Sequence, residues 1–347
     1  MRATIICPTH NHGHLIHAAL RSALRQTHQD FELFVIGDGV TAETREAVLE
    51  SMQWDPRFHF VEREKSSRHG ETYRHEVLQL QATGEFVCYL SDDDLWLPHH
   101  LGSMCDALRR FDVAHSRTLW IPVEGMIGSS LVNWSAASWR EWTLNPPRKN
   151  GVGLSQCGHR MDFYRTLPHG WRTTPPDAWS DHYMWQQILR QPGRGATGTG
   201  DPSTIQFPSP IRGGMTLAER YEEMCGWEKK MVSDPDALSE ELRGYATDWE
   251  AASYLSMENE LRYMKETTVV DLRLQLQQLQ QVQCEWTQSM ELQRLEINKL
   301  RQRESAMREK LIKAKSDRER WKNRYEGLPR WLRSVGRRLS GGGRKGS

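Results

Sequence analysis

Gly84-Glu85-Phe86-Val87-Cys88-Tyr89-Leu90-Ser91-Asp92-Asp93-Asp94-Leu95-Trp96-Leu97-Pro98 is the stretch that decides the fold class. Phe86 to Leu90 is a short apolar run launched by a glycine, the pattern of a parallel strand covered on both faces. Three carboxylates follow where that strand ends. In open α/β sheets ligands bind just beyond the carboxyl ends of the strands. Three adjacent anions repel one another and need a counter-charge, which a hard divalent cation supplies while bridging carboxylate oxygens to a phosphate. Asp92, Asp93 and Asp94 are therefore candidate ligands. The same stretch also reads as an acidic turn leading into a helix, with Asp94 near its N-cap and Pro98 in its first turn.

Working outward, Ala3 to Cys7 forms another buried strand, stopped by Pro8-Thr9-His10-Asn11. Leu15, Ile16, Ala19, Leu20, Ala23 and Leu24 then recur at helical spacing. Asp30 to Ile36 is a second strand ending at Gly37-Asp38-Gly39, and Arg57 to Val61 a third. Helices are expected over 42–53, 70–82 and 98–110, and a further strand over 112–121. Strand and helix alternate with short connections, as in a doubly wound parallel sheet with helices on both faces. Asp38, between two glycines, is an acceptor-only group suited to a base N–H or a ribose hydroxyl.

Four of these motifs carry a resemblance. Pro8-Thr9-His10-Asn11, Gly37-Asp38-Gly39, Tyr73-Arg74-His75 and Leu90 to Pro98, in that order, are similar to those of the family 2 glycosyltransferases of GT-A fold. The likeness covers roughly residues 1–210. It implies that Pro8, Thr9, Asp38, Arg74 and Asp92 hold the nucleotide of a nucleoside diphosphate sugar. It also implies that Asp93, with Asp94 beside it, holds Mn²⁺ or Mg²⁺ on the diphosphate. Ser91 stands where the family's acidic motif usually begins with Asp, and His75 where Asn is commoner. Further on, Ser180 or Asp181 is placed to cap a helix running through Tyr183, Met184, Trp185, Ile188 and Leu189. The resemblance makes Asp181 the general base, with Asp177 the fallback.

Between 112 and 185 the chain is dense in tryptophan: Trp120, Trp134, Trp139, Trp142, Trp171, Trp179 and Trp185. Most are expected in the core, because large aromatics dominate burial, with one or two exposed at an acceptor site. Gly158-His159-Arg160 and Phe207-Pro208-Ser209-Pro210 are weaker candidates for the acceptor side. Four histidines crowd residues 10–17 and read as polar loop residues, one of them in reach of phosphate or sugar.

Past Pro210 glycines become rare and the chain reads helical. Residues 216–260 form a connector, and 261–326 a coiled coil on a 4–3 spacing (Leu272, Leu276, Leu279, Trp286, Met290, Ile297, Leu300, Met307, Leu311) with polar interruptions. Such a seam fits a parallel homodimer, or a helix packed back on the catalytic domain. Residues 327–347 form a basic amphipathic tail in which Leu328, Trp331, Leu332, Val335 and Leu339 share a face ringed by arginines. A tail of this kind, over 328–345, suits an anionic membrane surface.

The formal net charge of +1 hides an asymmetry: residues 298–347 hold 17 Lys/Arg against 5 Asp/Glu. The six scattered cysteines form no CxxC pair, which points to a reducing compartment without a disulfide framework. No run is long and apolar enough to span a bilayer, and no base-reading module is recognisable, so a nucleic-acid partner ranks last. The expectation is a metal-dependent, inverting glycosyltransferase at the cytoplasmic side of a membrane. Its donor is a nucleoside diphosphate sugar, a UDP-sugar foremost. Its acceptor is a hydroxyl of a surface polysaccharide or glycolipid. The competing expectation is a non-catalytic nucleotide-binding scaffold whose business end is the coiled coil.

Overall fold

A computed structural model describes residues 1–145, 150–193, 195–285 and 290–327. They divide into two compact units, Met1–Ala246 and Thr247 onward. The first holds a sheet of nine strands: β1 (Ala3–Thr9), β2 (Phe31–Asp38), β3 (Phe58–Arg63), β4 (Phe86–Tyr89), β5 (Asp94–Trp96), β6 (Val113–Trp120), β7 (Gly128–Ser129), β8 (Cys157–Arg160) and β9 (Ala196–Gln206). Their order is β3-β2-β1-β4-β8-β6-β9-β5, with β7 beside β6. β1, β2, β3 and β4 are mutually parallel, as their apolar runs predict, whereas β8 is antiparallel to both β4 and β6. The parallel half therefore delivers the carboxyl ends of β1, β2 and β4 to one rim.

Helices α1 (Leu15–Leu24), α2 (Ala42–Ser51), α3 (Glu71–Leu80) and α4 (His100–Leu108) fill the crossovers. They agree with the expected helices to within two residues at each end. The exception is informative: Asp94 caps no helix. Residues Asp94–Trp96 instead pair antiparallel with β9, Asp94 opposite Gln206, and the helix begins six residues later. Burial explains the difference. Leu95 and Trp96 are wholly buried, and Trp96 donates its indole N–H to Ser155 O at 2.8 Å, so the segment is drawn into the sheet.

One core layer lies between β1, β2 and β4 and helices α1, α2 and α4, around Ile5, Leu33, Cys88, Trp96 and Leu101. The opposite layer gathers Tyr89, Trp134, Trp171 and Trp185. Tyr89 accepts from Trp171 Nε1 at 2.8 Å and meets the His159 ring nitrogen at 2.6 Å, while Trp134 donates its indole N–H to Thr143 Oγ1 and Trp185 to Val152 O, so each buried polar end finds a partner. His159 is wholly buried and Gly158 lies against the β4 backbone. The Gly158–Arg160 stretch is thus a central strand instead of an acceptor surface. At the amino ends of the same strands, buried Glu32 accepts from Thr4 Oγ1, Thr83 Oγ1, Thr83 N and Gly84 N at 2.6–3.1 Å. Gly84 has to be glycine there, because a Cβ would sit 2.5 Å from Thr4 N.

Helices α5 (Ala137–Leu144), α6 (Met161–Arg165), α7 (Ser180–Leu189) and α8 (Leu217–Ser233) complete this unit, and the next helix, α9 (Pro235–Tyr263), begins in it. A capping box starts α8: Thr216 Oγ1 accepts from Glu219 N while Glu219 Oε2 accepts from Thr216 N. α8 is tied to α1 by Arg21 and Arg25, both paired with Glu228. The stretch expected as a connector therefore packs, up to Ala246, with the sheet.

The second unit is a helical hairpin. The rest of α9, a π-helical turn at Met264–Thr268 and α10 (Val269–Glu285) run against α11 (Met290–Gly327). Arg273 pairs with Glu304, Glu258 with Arg318 and Glu250 with Arg324, so the partners run antiparallel. The 4–3 seam is visible in the burial: 272, 276, 279, 297, 300, 304, 307 and 311 are buried or half-buried, and the positions between them are largely exposed. The partner for that seam lies within the chain. The basic tail falls outside the described residues.

Candidate active site

β1 ends at Thr9 and β4 at Tyr89, side by side. From there the chain turns through Ser91-Asp92-Asp93. Asp92 accepts from Thr9 Oγ1 at 2.6 Å and pairs with His12 Nδ1 at 2.7 Å. Asp93 accepts from Ser91 Oγ at 2.8 Å, Ser209 Oγ at 2.6 Å and Arg220 Nη2 at 2.9 Å. Both carboxylates are nearly enclosed, 4% and 7% exposed. Each therefore has one protein cation facing it, His12 on Asp92 and Arg220 on Asp93. Burial pulls the His12 imidazole pKa down, but the Asp92 charge and hydrogen bond outweigh that and lift it to about 9.

Asp94 has a different setting. It accepts from Ser155 Oγ at 2.5 Å, Gln206 Nε2 at 3.4 Å and Phe207 N at 3.3 Å, all parts of the sheet wall. Burial and the neighbouring Asp93 charge push its carboxyl up to about 7. The side chains whose ligand atoms converge are His12, Asp92 and Asp93, within 4.8 Å of one another. The two carboxylates are hard oxygen donors of the kind Mn²⁺ or Mg²⁺ takes, and His12, protonated on Asp92, faces them as a cation and not as a ligand.

The β2 end supplies Asp38. Lys65 Nζ lies 2.5 Å from its Oδ2, and Ser66 donates its N–H at 2.5 Å and its Oγ at 3.1 Å. Burial works to raise this carboxyl, yet the Lys65 and Ser66 hydrogen bonds prevail and hold it below the usual range. Two left-handed glycines allow the turn. Gly39 (φ +63°) lies where a Cβ would strike the Lys65 backbone, and Gly70 (φ +69°) faces the Asp38 Cβ. Pro8 is half-buried in β1 opposite Ile36.

Arg74, on α3, links the two sides. It is 3% exposed, stacks 4.7 Å from the centre of the Trp171 ring and donates Nη2 to His69 O at 2.6 Å. Its Nε and Nη1 are buried and have no partner among the described residues. Burial lowers its pKa, while the charges of Glu71, Asp181 and Asp38 act to raise it, so both Asp38 and Asp181 lie within its field. Unpartnered buried donors are costly, and an anion is what they suit.

Asp181 sits in the first turn of α7 and accepts from His182 N at 2.7 Å. The helix begins at Ser180 with Trp179 at the cap position, and no side chain caps it. Neither Ser180 nor Asp181 plays the capping part expected of them. Burial raises the Asp181 carboxyl, against hydrogen bonds from His182 N and Asn150. Asp177 is exposed in the preceding loop. Of the seven tryptophans, Trp179 is the exposed one at 52%, two residues from Asp181, while Trp134, Trp171 and Trp185 are wholly in the core.

Lys65 on Asp38 and Arg220 on Asp93 escaped the sequence reading, and Ser209, a weak candidate for the acceptor side, meets Asp93 instead. The first follows its aspartate by 27 residues and the others theirs by more than 100, with no local spacing to announce them. His12 was placed in the loop as a polar residue, and its pairing with Asp92 appears only once β1 and β4 are neighbours.

Residues 4–149 match the sequence model described as Glycosyl transferase family 2. The chain is similar to UDP-Glc:alpha-D-GlcNAc-diphosphoundecaprenol beta-1,3-glucosyltransferase WfgD of Escherichia coli, 27% identical over 188 residues, 54% of this chain and 69% of that protein. An uncharacterized glycosyltransferase of Nostoc sp. is 27% identical over 113 residues, 33% of this chain, and the chain spans only 34% of that relative's length. Among solved structures, S. aureus TarS 1-349 in complex with UDP-GlcNAc superposes with a TM-score of 0.50 at 16% identity, over 72% of this chain and 71% of that one. That likeness speaks for the fold alone. With the acidic turn at the rim of a GT-A-like sheet, the match identifies the N-terminal part of this chain as a Glycosyl transferase family 2 domain.

Proposed function

We propose that the protein transfers a sugar from a nucleoside diphosphate sugar to an acceptor hydroxyl with inversion at the anomeric carbon. The observation that carries this is the gathering of Asp92 and Asp93 at the carboxyl ends of β1 and β4, with Arg74 holding buried N–H groups that have no partner among the described residues. In this reading Pro8, Thr9 and Asp38 border the nucleoside, and Asp92 holds the ribose. Arg74 directs its unpartnered N–H groups at the anionic donor. Asp93 holds a Mn²⁺ or Mg²⁺ ion, with His12 and Asp92 close by; Asp94 braces this turn against β9. Bound there, the ion supplies Lewis-acid neutralisation of charge on the departing diphosphate. Asp181 takes the proton of the acceptor hydroxyl as that oxygen attacks the anomeric carbon, and its burial-raised pKa makes it a stronger base. Trp179, exposed beside it, offers a flat apolar face to the acceptor ring.

The name of WfgD gives a UDP-glucose donor and a lipid-diphosphate acceptor for that protein. It supports a UDP-sugar and a polysaccharide or glycolipid acceptor here. The basic stretch 328–345 would hold the chain at the inner face of a membrane. Since the 4–3 seam closes within the hairpin, a homodimer through 261–326 would use its outer faces, where Val270, Leu274, Leu295 and Ile312 are exposed.

Calorimetry with UDP, GDP and dTDP tests the reading, first with Mn²⁺ and then with EDTA. Metal-dependent binding of one nucleotide, lost in Asp93→Ala, is the expected result. If no nucleotide binds in the presence of metal, the enzyme reading falls and the scaffold reading replaces it.

A further inference from the structure

Asp93 is the pivot of the donor site, and both its oxygens are engaged with the protein, Oδ2 fully. Its Oδ2 accepts two hydrogen bonds, from Ser209 Oγ at 2.6 Å and Arg220 Nη2 at 2.9 Å, while Arg220 Nη2 also reaches Ser209 Oγ at 2.8 Å. This closed triangle uses both lone-pair directions of that oxygen. Ser91 Oγ holds the other oxygen. Arg220 is 8% exposed and stands in the first turn of α8, behind the Thr216 capping box. Its Nε is buried with no partner among the described residues, so the guanidinium is not fully satisfied where it rests.

A divalent cation coordinates a carboxylate oxygen along the same directions, at about 2.0–2.6 Å. It cannot share Oδ2 with a guanidinium hydrogen aimed at the same lone pair, and two cations against one oxygen repel. We infer that Arg220 is a built-in counter-ion that competes with the donor's divalent ion for Asp93. It thereby sets the metal affinity of the site and couples donor loading to release of the Ser209–Arg220 contact. This rests on the donor-site reading given above. In the ligand-free protein the arginine keeps a buried carboxylate from standing uncompensated. When metal and nucleotide arrive, it is displaced from Asp93, and Ser209 is released with it. The stretch from Ser209 to Arg220, held at its middle by Arg212 on Glu223 and Ile121 O, then loses its tie to the acidic turn.

The test uses the full chain and Mn²⁺ with UDP and with GDP as probes, by calorimetry, on wild type, Arg220→Gln and Arg220→Lys. Removing the charge but keeping an amide is expected to tighten Mn²⁺-dependent nucleotide binding by about tenfold, the scale on which neighbours of a metal site act. Arg220→Lys, which keeps the charge, stays near wild type. Hydrogen exchange on the wild-type protein provides a readout that needs no variant to fold. Peptides spanning 208–220 should exchange faster with Mn²⁺ and nucleotide than with nucleotide and EDTA.

If wild type binds nucleotide with metal while Arg220→Gln binds it no more tightly, the competition is refuted and the donor-site reading stands. Unchanged exchange over 208–220 in a wild-type protein that binds Mn²⁺ and nucleotide refutes the coupling in the same way. If neither wild type nor variant binds either nucleotide, the donor-site reading has failed and this inference falls with it.

Discussion

The rim of the sheet and the helical hairpin handle charge in opposite ways. At the rim, carboxylates are taken out of water and three of them are met by a dedicated cation: His12 for Asp92, Arg220 for Asp93, Lys65 for Asp38. In the hairpin an apolar stripe is buried, while most charged side chains stand in solvent, as in the pair of Arg320 with Asp317 three residues away. A solvated pair contributes little and can be replaced; a buried pair that loses one partner leaves an uncompensated charge. The rim is thus built so that single changes alter chemistry, and the hairpin so that single changes on its surface alter almost nothing.

The largest effect that would sharpen this contrast is expected at Asp181. With Asp181→Asn, turnover should drop by about 10²–10⁴-fold, the share general-base catalysis usually supplies, with nucleotide affinity kept. Unchanged turnover would remove Asp181 from the reaction. In the wild type, activity should fall as pH drops through the raised pKa of this carboxyl, because only the ionised form accepts the proton.

Next comes the packing beneath the rim. Trp96 is wholly buried, so Trp96→Ala should cost about 3–5 kcal/mol in denaturant unfolding. Leu300→Ala in the hairpin, 7% exposed, should cost about 2–3 kcal/mol, near the lower end for such truncations, because a two-helix seam can close on the gap more easily. Equal costs at both sites would break the contrast.

A smaller effect concerns pH. The His12 pKa is raised on folding, so its contribution to stability is complete below about 6.5, its unfolded value, and is lost as pH rises through about 9. Thermal melts of the metal-free wild type should therefore decline over that window relative to His12→Gln. A constant difference between the two would dissociate His12 from Asp92. The smallest effect is expected for Arg273→Ala, which removes an ion pair with Glu304: about 0–1 kcal/mol, and less at high salt.

How much of this could be read beforehand follows the same division. The strands β1, β2 and β4 were legible because both faces are buried and the apolar runs are continuous, whereas β3 exposes His59 and Glu62 at the edge of the sheet. Asp92 and Asp93 were legible because charge at the end of such a run is out of place unless it serves a ligand. What stayed hidden was long-range. Arg220 and Ser209 come to Asp93 from beyond β9, and no periodicity in the chain records that meeting. Asp94 was grouped with its neighbours because consecutive aspartates look alike in sequence, and only the pairing of β5 with β9 gives it partners of its own. The hairpin shows the reverse case. Its 4–3 spacing was plain, but a seam states that a partner exists and not which helix it is.

The π-helical turn at Met264–Thr268 carries a record of its own. Leu261 and Val269, both buried in the hairpin, are eight residues apart where a heptad step would be seven. The wider turn absorbs the extra residue and restores the phase before Leu272. The hairpin therefore bears the mark of a one-residue insertion, accommodated locally. Deleting a single residue between 264 and 268 should pass almost unnoticed, whereas the same deletion between 273 and 275 would turn the rest of the stripe toward water. In this stretch, tolerance to a change of length is set by the winding of the helix.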